Sequence, residues 1–383
     1  MKKILTLAIV ACLAFSATVI AAEQEPIKIG AIFSVTGPAS WLGEPERNTA
    51  KMIEAEVNAA GGINGRPIEV IVEDDATEDA KAVNAIKKLV MKDNVVAVIG
   101  PSVSGASLAV KPLAEEYGVP LISCAAAEEI VNPLAKWVFK TPQKDSDCVI
   151  RIFEHMKSKG ISKVAIISVT TGFGAAGRQQ LKKYAPEIGI EIVADETYGP
   201  KDTDMTAQLT KIKGTDAQAI INWSVGDVQV VVVKNIRQLG LTIPIYQSHG
   251  FGNPKNAIHC GEAGEGIIFP AGRLLIADEL SPDHPQSAVL KKYKADYESK
   301  FNDNVSTFGG HAYDALWLVI KAIEAVGPDR AKIRDHIENT KGFVGTGGIF
   351  NYSPEDHCGL DKTAFEMIVV KNQKFMPLSS LEK

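Results

Sequence analysis

Residues 99–109, IGPSVSGASLA, set Ser102, Ser104 and Ser107 directly after an apolar run, 95–99, that Gly100-Pro101 ends. Three chemistries use a serine-rich loop at such a place. Phosphate binding by a P-loop needs G-x-x-x-x-G-K-[ST], and no lysine follows Gly105. A nucleophile elbow needs G-x-S-x-G, hence glycine at 104, where this chain has a serine. The third is capture of a small carboxylate. Serine hydroxyls and the free N–H groups of a helix N-terminus hold an anion without a formal positive charge. A plain helix cap by Ser104 or Ser107 accounts for the same residues with no ligand. The loop alone does not separate these last two.

A second glycine-rich stretch, TGFGAAGRQ, places Gly172, Gly174 and Gly177 as G-x-G-x-x-G between a strand and a helix, with Asp195 and Glu196 downstream. That is the layout of a dinucleotide fingerprint. The first glycine comes two residues late, after Thr170-Thr171, which favours a crevice loop presenting Phe173 over a dinucleotide site. An exported α/β enzyme using Gly172–Gly177 is the alternative. Trp41, Phe173, Trp223 and Phe308 fall near loop tips at the carboxyl ends of strands. Singly each fits a core, but from both halves of the chain they suggest a pocket. His259-Cys260 and His357-Cys358 hint at zinc, yet adjacent side chains on an extended segment point apart and no CxxC occurs. No metal and no cofactor is expected.

Repeating strand–helix units position these loops. IKIGAIFSV (27–35) reads as a buried strand, and Pro45 opens a helix closed by Gly61-Gly62. IEVIVEDD, VVAVIG and PLISC are further strands, with helices over 79–91 and 106–117 between them. The pattern restarts after 145, with helices over 147–159, 178–187, 204–213 and 227–239, the last capped by Asp227. Strands KVAIISV, 190–194, AQAIINW and IPIYQS alternate with them. Two long helices (286–301, 309–326), a shorter one (329–339) and strands near 349 and 365–370 finish the chain. Apolar strands in βαβ units mean parallel sheets covered on both faces. At 383 residues, two lobes are the default. Ligands bind such sheets beyond the carboxyl ends of the strands, where the serine loop sits.

Lys2 and Lys3 precede an apolar run to Ala22 that ends in small residues, so 1–22 reads as a signal peptide. A lipid-anchored form at Cys12 is less favoured. Cleavage removes two lysines and no acid, making the mature chain more acidic than the −5 of the whole. That excludes phosphate-backbone binding, so nucleic acid is not a partner. Export permits disulfides among Cys124, Cys148, Cys260 and Cys358. Three pairings are available, with Cys260–Cys358 the one to consider.

IKIGAIFSVTGPASWLGEPERNTAKMIEAEVNAAGGINGRPIEVIVEDDA, VIGPSVSGASLAVKPLAEEYGVPLIS and HAYDALWLVIKAIEAVG together resemble the leucine/isoleucine/valine-binding proteins, type I solute-binding proteins of ABC importers. The resemblance covers nearly all of the mature chain. It implies two Rossmann-like lobes with parallel sheets joined by three crossovers, with lobe I at 26–145 and 274–343 and lobe II at 146–273 and 344–383. It implies a periplasmic, monomeric protein that performs no catalysis and delivers a small carboxylate to a membrane permease, a signalling receptor being the rival partner. By the same resemblance Ser104 holds the ligand carboxylate, the Ala125 carbonyl takes an ammonium, Phe173 and Phe308 contribute aromatic walls, and Leu42, with Trp41 beside it, follows the TGP turn. A threonine of the ammonium site falls on Ala127, its acid on His249 and a tyrosine on Val225. The family disulfide falls on Thr77 and Val103 and is absent. The carboxylate half of the site is kept and the ammonium half stripped, with Asp227 the substitute acid nearest in sequence. The expected ligand is therefore a carboxylate with an apolar, aromatic body and no obligatory amine. A branched-chain or hydrophobic amino acid held by a rebuilt ammonium site is the alternative.

Overall fold

The structure is a computed structural model and describes residues 25–381. The expected leader, 1–22, and Cys12 lie outside them. The first half of the chain alternates β1 (Ile27–Phe33), α1 (Ser40–Ala59), β2 (Ile68–Asp74), α2 (Asp79–Met91), β3 (Val98–Ile99), α3 (Ser104–Tyr117), β4 (Leu121–Ser123) and β5 (Val138–Lys140). Its strands pair in parallel in the order β2-β1-β3-β4-β5. The strands are nearly continuous runs of β-branched and apolar residues because helices cover both faces. Ile29, Ala31, Ile32, Phe33, Val98 and Ile99 are fully buried.

The pattern then repeats with α4 (Asp145–Ser158), β6 (Lys163–Val169), α5 (Gly172–Ile188), β7 (Glu191–Tyr198), α6 (Thr206–Lys213), β8 (Ala219–Trp223), α7 (Val228–Gln238), β9 (Ile245–Gln247), α8 (Pro254–Cys260) and β10 (Ile268–Ala271). The chain returns through α9 (Ser287–Phe301), α10 (Thr307–Val326) and α11 (Arg330–Glu338) and a ribbon of β11 (Lys341–Val344) and β12 (Ile349–Asn351). It ends in β13 (Glu366–Lys371) and β14 (Lys374–Pro377). The second sheet runs β14-β13-β10-β9-β8-β6-β7, parallel except that β13 and β14 add an antiparallel edge. The α/β two-lobe reading therefore holds. The antiparallel edge was not foreseen, because strands as short as β10 and β14 carry too few residues to show a period.

Helix α10 is apolar on almost every side and is buried accordingly. Its Ala312, Leu316, Val319 and Ile323 enter the first core beside β1 and β3. Phe350, Tyr352, Cys358 and Leu360 join that same core, and Phe365 is the next residue to pack in the second lobe. The segment after β12 thus packs on the first core before Phe365 enters the second.

Two helix starts differ from expectation. Helix α1 begins at Ser40, so Pro45 sits inside it, beyond the first turn where a missing N–H is harmless. Helix α5 begins at Gly172 and not at 178, because Thr171 caps it and accepts a hydrogen bond from the Gly174 N–H at 3.4 Å. The Cys260–Cys358 bridge does not form. Cys260 lies in the second lobe's core and Cys358 in the first, and Cys124, Cys148, Cys260 and Cys358 are all buried free thiols. Among the described residues no cluster of three or more metal-ligating side chains exists, and no helix is long and apolar enough to cross a membrane.

Candidate functional site

In each sheet the chain order reverses beside one strand, and crevices form at such switch points. In the first sheet β1 lies between β2 and β3. The carboxyl end of β1 leads to Trp41 and Leu42 on α1, and that of β3 leads to Ser104 on α3. In the second sheet β6 lies between β7 and β8. The end of β6 leads to Phe173 on α5, and that of β8 to Val225. The ends of β4 and β9 add Ala125 and His249, and the first turn of α10 adds Phe308.

These residues line one cleft of about 560 Å3 between the lobes. Of the expected site residues Trp41, Leu42, Val103, Ser104, Ala125, Phe173, Val225, His249 and Phe308 all face it. Ala127 does not. Its side chain is fully buried in the first core and it serves through its backbone, donating its N–H to Ser104 Oγ at 3.2 Å.

The three serines divide their work. Ser102 Oγ accepts from the Ser34 N–H at 2.9 Å and donates to the Glu46 carboxylate. Glu46 is buried, and burial pushes its pKa well above the usual carboxylate range. Ser107 Oγ bonds Ser123 Oγ at 2.8 Å, and Ser123 Oγ accepts the Ala125 N–H at 3.1 Å, which pins the β4 loop. Ser104 keeps its own hydroxyl proton for the cleft, and it stands in the first turn of α3, where backbone N–H groups lack helical partners. Neither Ser104 nor Ser107 caps that helix. The cap position is Val103, which makes no side-chain cap.

Aromatic rings wall the cleft from both lobes. Trp41 meets Phe308 edge-on at 5.0 Å between centroids, and Phe173 meets the edge of His249 at 5.4 Å. Trp223, expected at the pocket, is fully buried behind Phe173 and His249 instead. The glycine pattern of α5 is explained by this packing. A Cβ on Gly174 would stand 1.7 Å from the Val169 carbonyl oxygen, and one on Gly177 would stand 1.9 Å from the Trp223 indole. The glycines let the helix seat against the sheet. Gly172 itself approaches the backbone of Gly105 across the cleft.

His249 lines the cleft from the second lobe. It is enclosed by Phe173, Trp223 and Phe365. Burial, then Lys140 and His311, push its pKa down to about 3, so its ring is neutral at pH 7. Its Nε2 lies 3.5 Å from Asp145 Oδ1 at the start of α4. Asp145 is fully buried and held well above the usual carboxylate range by that burial. Lys140, also buried, donates to the carbonyls of Ala126 and Gln143. The acids that line the cleft, Asp79 and Asp227, are exposed at its mouth.

Sequence reasoning missed Asp145 and His311. Asp145 is far from His249 in the chain and meets it only through the fold. His311 was within reach, since it follows Phe308 by three residues on α10 and so shares its face.

Two lobes with a switch-point cleft between them, walled by rings and floored by buried polar groups, define a solute-binding protein of the type I periplasmic class. A family model described as periplasmic binding protein matches residues 26–371, and the chain belongs to that family, in its leucine/isoleucine/valine-binding branch. It is 27% identical over 348 residues to the leucine-, isoleucine-, valine-, threonine-, and alanine-binding protein of Pseudomonas aeruginosa, covering 89% of this chain and 90% of that one. An extracellular ligand-binding receptor from Rhodopseudomonas palustris HaA2 superposes with a TM-score of 0.87 at 29% identity, over 92% of this chain and all of that one. A branched-chain amino acid transporter substrate binding protein from Streptococcus pneumoniae, solved with isoleucine, superposes with a TM-score of 0.81 at 31% identity, over 92% and 98%. These relatives are binding proteins.

Proposed function

We propose that this protein is the periplasmic solute-binding component of an ABC importer and that its cleft captures a small carboxylate with an aromatic body. The observation that carries the reading is His249, a neutral imidazole boxed by aromatic rings at the position where the family resemblance places the ammonium's acid. A neutral ring gives an ammonium no compensating charge, and burying an unpaired ammonium costs several kcal/mol. The Ser104 hydroxyl and the first turn of α3 hold the carboxylate. Trp41 and Phe308 from one lobe and Phe173 from the other enclose the ring. The protein acts as a carrier, and Gly172–Gly177 serves helix packing rather than a dinucleotide.

A second reading is a branched-chain amino acid, the ligand of the Streptococcus relative. It is favoured by one feature, Asp227, whose carboxylate lies at the cleft mouth beside Val225. Thermal melts of protein unfolded and refolded free of carried-over ligand decide between them. A ligand at about a hundred times its Kd adds roughly 2.7 kcal/mol, a rise of a few degrees. Benzoates are expected to raise Tm, and leucine, isoleucine and valine to leave it unchanged. A rise with leucine that Asp227→Ala abolishes would establish the amino-acid reading instead.

A further inference from the structure

Two passages of the chain run between the sheets, one from β5 to α4 and one from the end of β10 toward α9. Both bear on one turn, residues 345–348, which joins β11 to β12. Gln143 of the first passage donates from Nε2 to the Gly347 carbonyl at 2.8 Å. Gly272 of the second lies against that amide, where a Cβ would stand 3.2 Å from Gln143 Nε2 and 3.8 Å from the Thr346 carbonyl oxygen. Gln286, at the cap of α9, donates to the Gly345 and Thr346 carbonyls at 2.9 and 3.3 Å.

One side chain fixes the position of this turn. Asp314 of α10 is fully buried. Its Oδ1 accepts the Thr346 N–H at 2.6 Å and its Oδ2 accepts the Gly347 N–H at 2.7 Å. The Thr346 hydroxyl is shared between Oδ2 at 3.0 Å and the Gly310 carbonyl at 2.8 Å. The fit leaves no slack, since a Cβ on Gly345 would stand 2.5 Å from Asp314 Oδ1. The same helix serves the cleft. Phe308 and His311 line it, and the His311 carbonyl accepts the Thr141 hydroxyl at 3.0 Å. Asp314 follows one turn further along. The lobes already approach each other across the cleft at Gly105 and Gly172, so this is the arrangement that the turn supports when the cleft is shut.

No cation offsets the Asp314 carboxylate. The titratable groups that face it are Tyr313 beside it on α10, Tyr293 on α9, Tyr352 after β12 and Cys124 after β4, and all are neutral at pH 7 because burial raises their pKa values. Burial also raises Asp314 to about 7, against the hydrogen bonds from Thr346 and Gly347 that lower it. Protonation removes one acceptor from a carboxylate, and here every acceptor serves the turn.

We propose that Asp314 is a positioning residue for closure: its ionised carboxylate clamps the 345–348 turn on which the two interlobe passages bear, and releasing the clamp lets the closed cleft open and lose its ligand sooner. Asp314 touches no ligand in this scheme. The proposal goes beyond the ligand reading above, because it applies to whichever carboxylate the cleft takes.

The test is stopped-flow binding to refolded mature protein, followed by tryptophan fluorescence, with Trp41 in the cleft wall as reporter. The probe is 4-hydroxybenzoate, or leucine should the melts above establish the second reading. One lost hydrogen bond to a charged group is an effect of about tenfold or more. At pH 8, Asp314→Asn is therefore expected to release the probe about tenfold faster, with its association rate within twofold of wild type. The wild type is expected to show the same acceleration between pH 8 and pH 5.5, and Asp314→Asn to show none. Gln143→Ala, which cuts the first passage from the turn and leaves Asp314 in place, is expected to release the probe faster at pH 8. A release rate for Asp314→Asn within twofold of wild type at pH 8 overturns the proposal, as does an acid acceleration that persists in the variant. Should Asp314→Asn not fold, a wild-type release rate that is flat between pH 8 and pH 5.5, or a Gln143→Ala rate equal to wild type, overturns it.

Discussion

Replacing the three serines of the α3 loop one at a time separates binding from scaffolding. Ser104→Ala removes the hydroxyl assigned to the ligand carboxylate. A hydrogen bond to a charged group contributes about 1.5–3 kcal/mol, so the Kd for 4-hydroxybenzoate should rise roughly 10- to 100-fold. The same change orphans the Ala127 N–H that Ser104 Oγ accepts at 3.2 Å, which costs about 1 kcal/mol of stability. Ser102→Ala does the reverse. It leaves the Ser34 N–H and the buried Glu46 carboxyl unpaired, at about 1–3 kcal/mol each, and touches no ligand. Ser107→Ala removes one bond to Ser123, whose hydroxyl still takes the Ala125 N–H, so about 1 kcal/mol is lost. Titration calorimetry reads the first effect and urea unfolding the other two. A Kd for Ser104→Ala within threefold of wild type would refute the carboxylate assignment. A binding loss in Ser102→Ala that exceeds the loss in Ser104→Ala would show that the loop has been read in the wrong register.

Acid should expose the two buried histidines. Their folded pKa values of about 3 lie below the ordinary 6.5, so between those limits the unfolded chain binds more protons. Their contribution is complete above pH 6.5 and is lost as pH falls toward 3. Buried Glu46, Asp145 and Asp314, whose pKa values are raised, act with the opposite sign, so the comparison must be between variants. His249→Phe is expected to lose less Tm than wild type between pH 6.5 and 4, and parallel Tm–pH curves would contradict a buried neutral ring. Gly177→Ala drives a methyl into the Trp223 indole. A stability loss of about 3 kcal/mol or more is expected by urea unfolding, and a loss under 0.5 kcal/mol would remove the packing explanation of the glycine pattern. Cys124, Cys148, Cys260 and Cys358 are buried thiols, so iodoacetamide should modify them, read by mass spectrometry, only after denaturation, and dithiothreitol should leave Tm unchanged.

Much of the site was legible because its residues sit at element ends, where local patterns are sharp. The break from Ile99 into Gly100-Pro101 marks a strand end, and Ser104 follows it within a few residues. Phe173 and Val225 follow β6 and β8 in the same way. The helix starts were harder to read. Pro45 and the glycines of α5 look like boundaries, yet both helices begin earlier. Thr171 caps α5, and the glycines answer to Val169 and Trp223, which are neighbours only in the folded lobe. Tyr352 and Leu360 are apolar residues that pack in the first core, and no local pattern says which of two cores an apolar residue joins.

The sequence by itself determined two α/β lobes and the loops that carry the cleft. Those features follow from local periodicity, turn chemistry and residue identity at each position. Only the tertiary structure decided what each polar group does. It put Asp145 beside His249, gave Ser102 to Glu46 and Ser107 to Ser123, and left Ser104 facing the cleft. It also sent Cys260 and Cys358 into different cores and brought His249 and His311 to the same cleft. Hydrogen bonding and burial depend on neighbours distant in the chain, so residues that read alike in sequence part company once the lobes assemble.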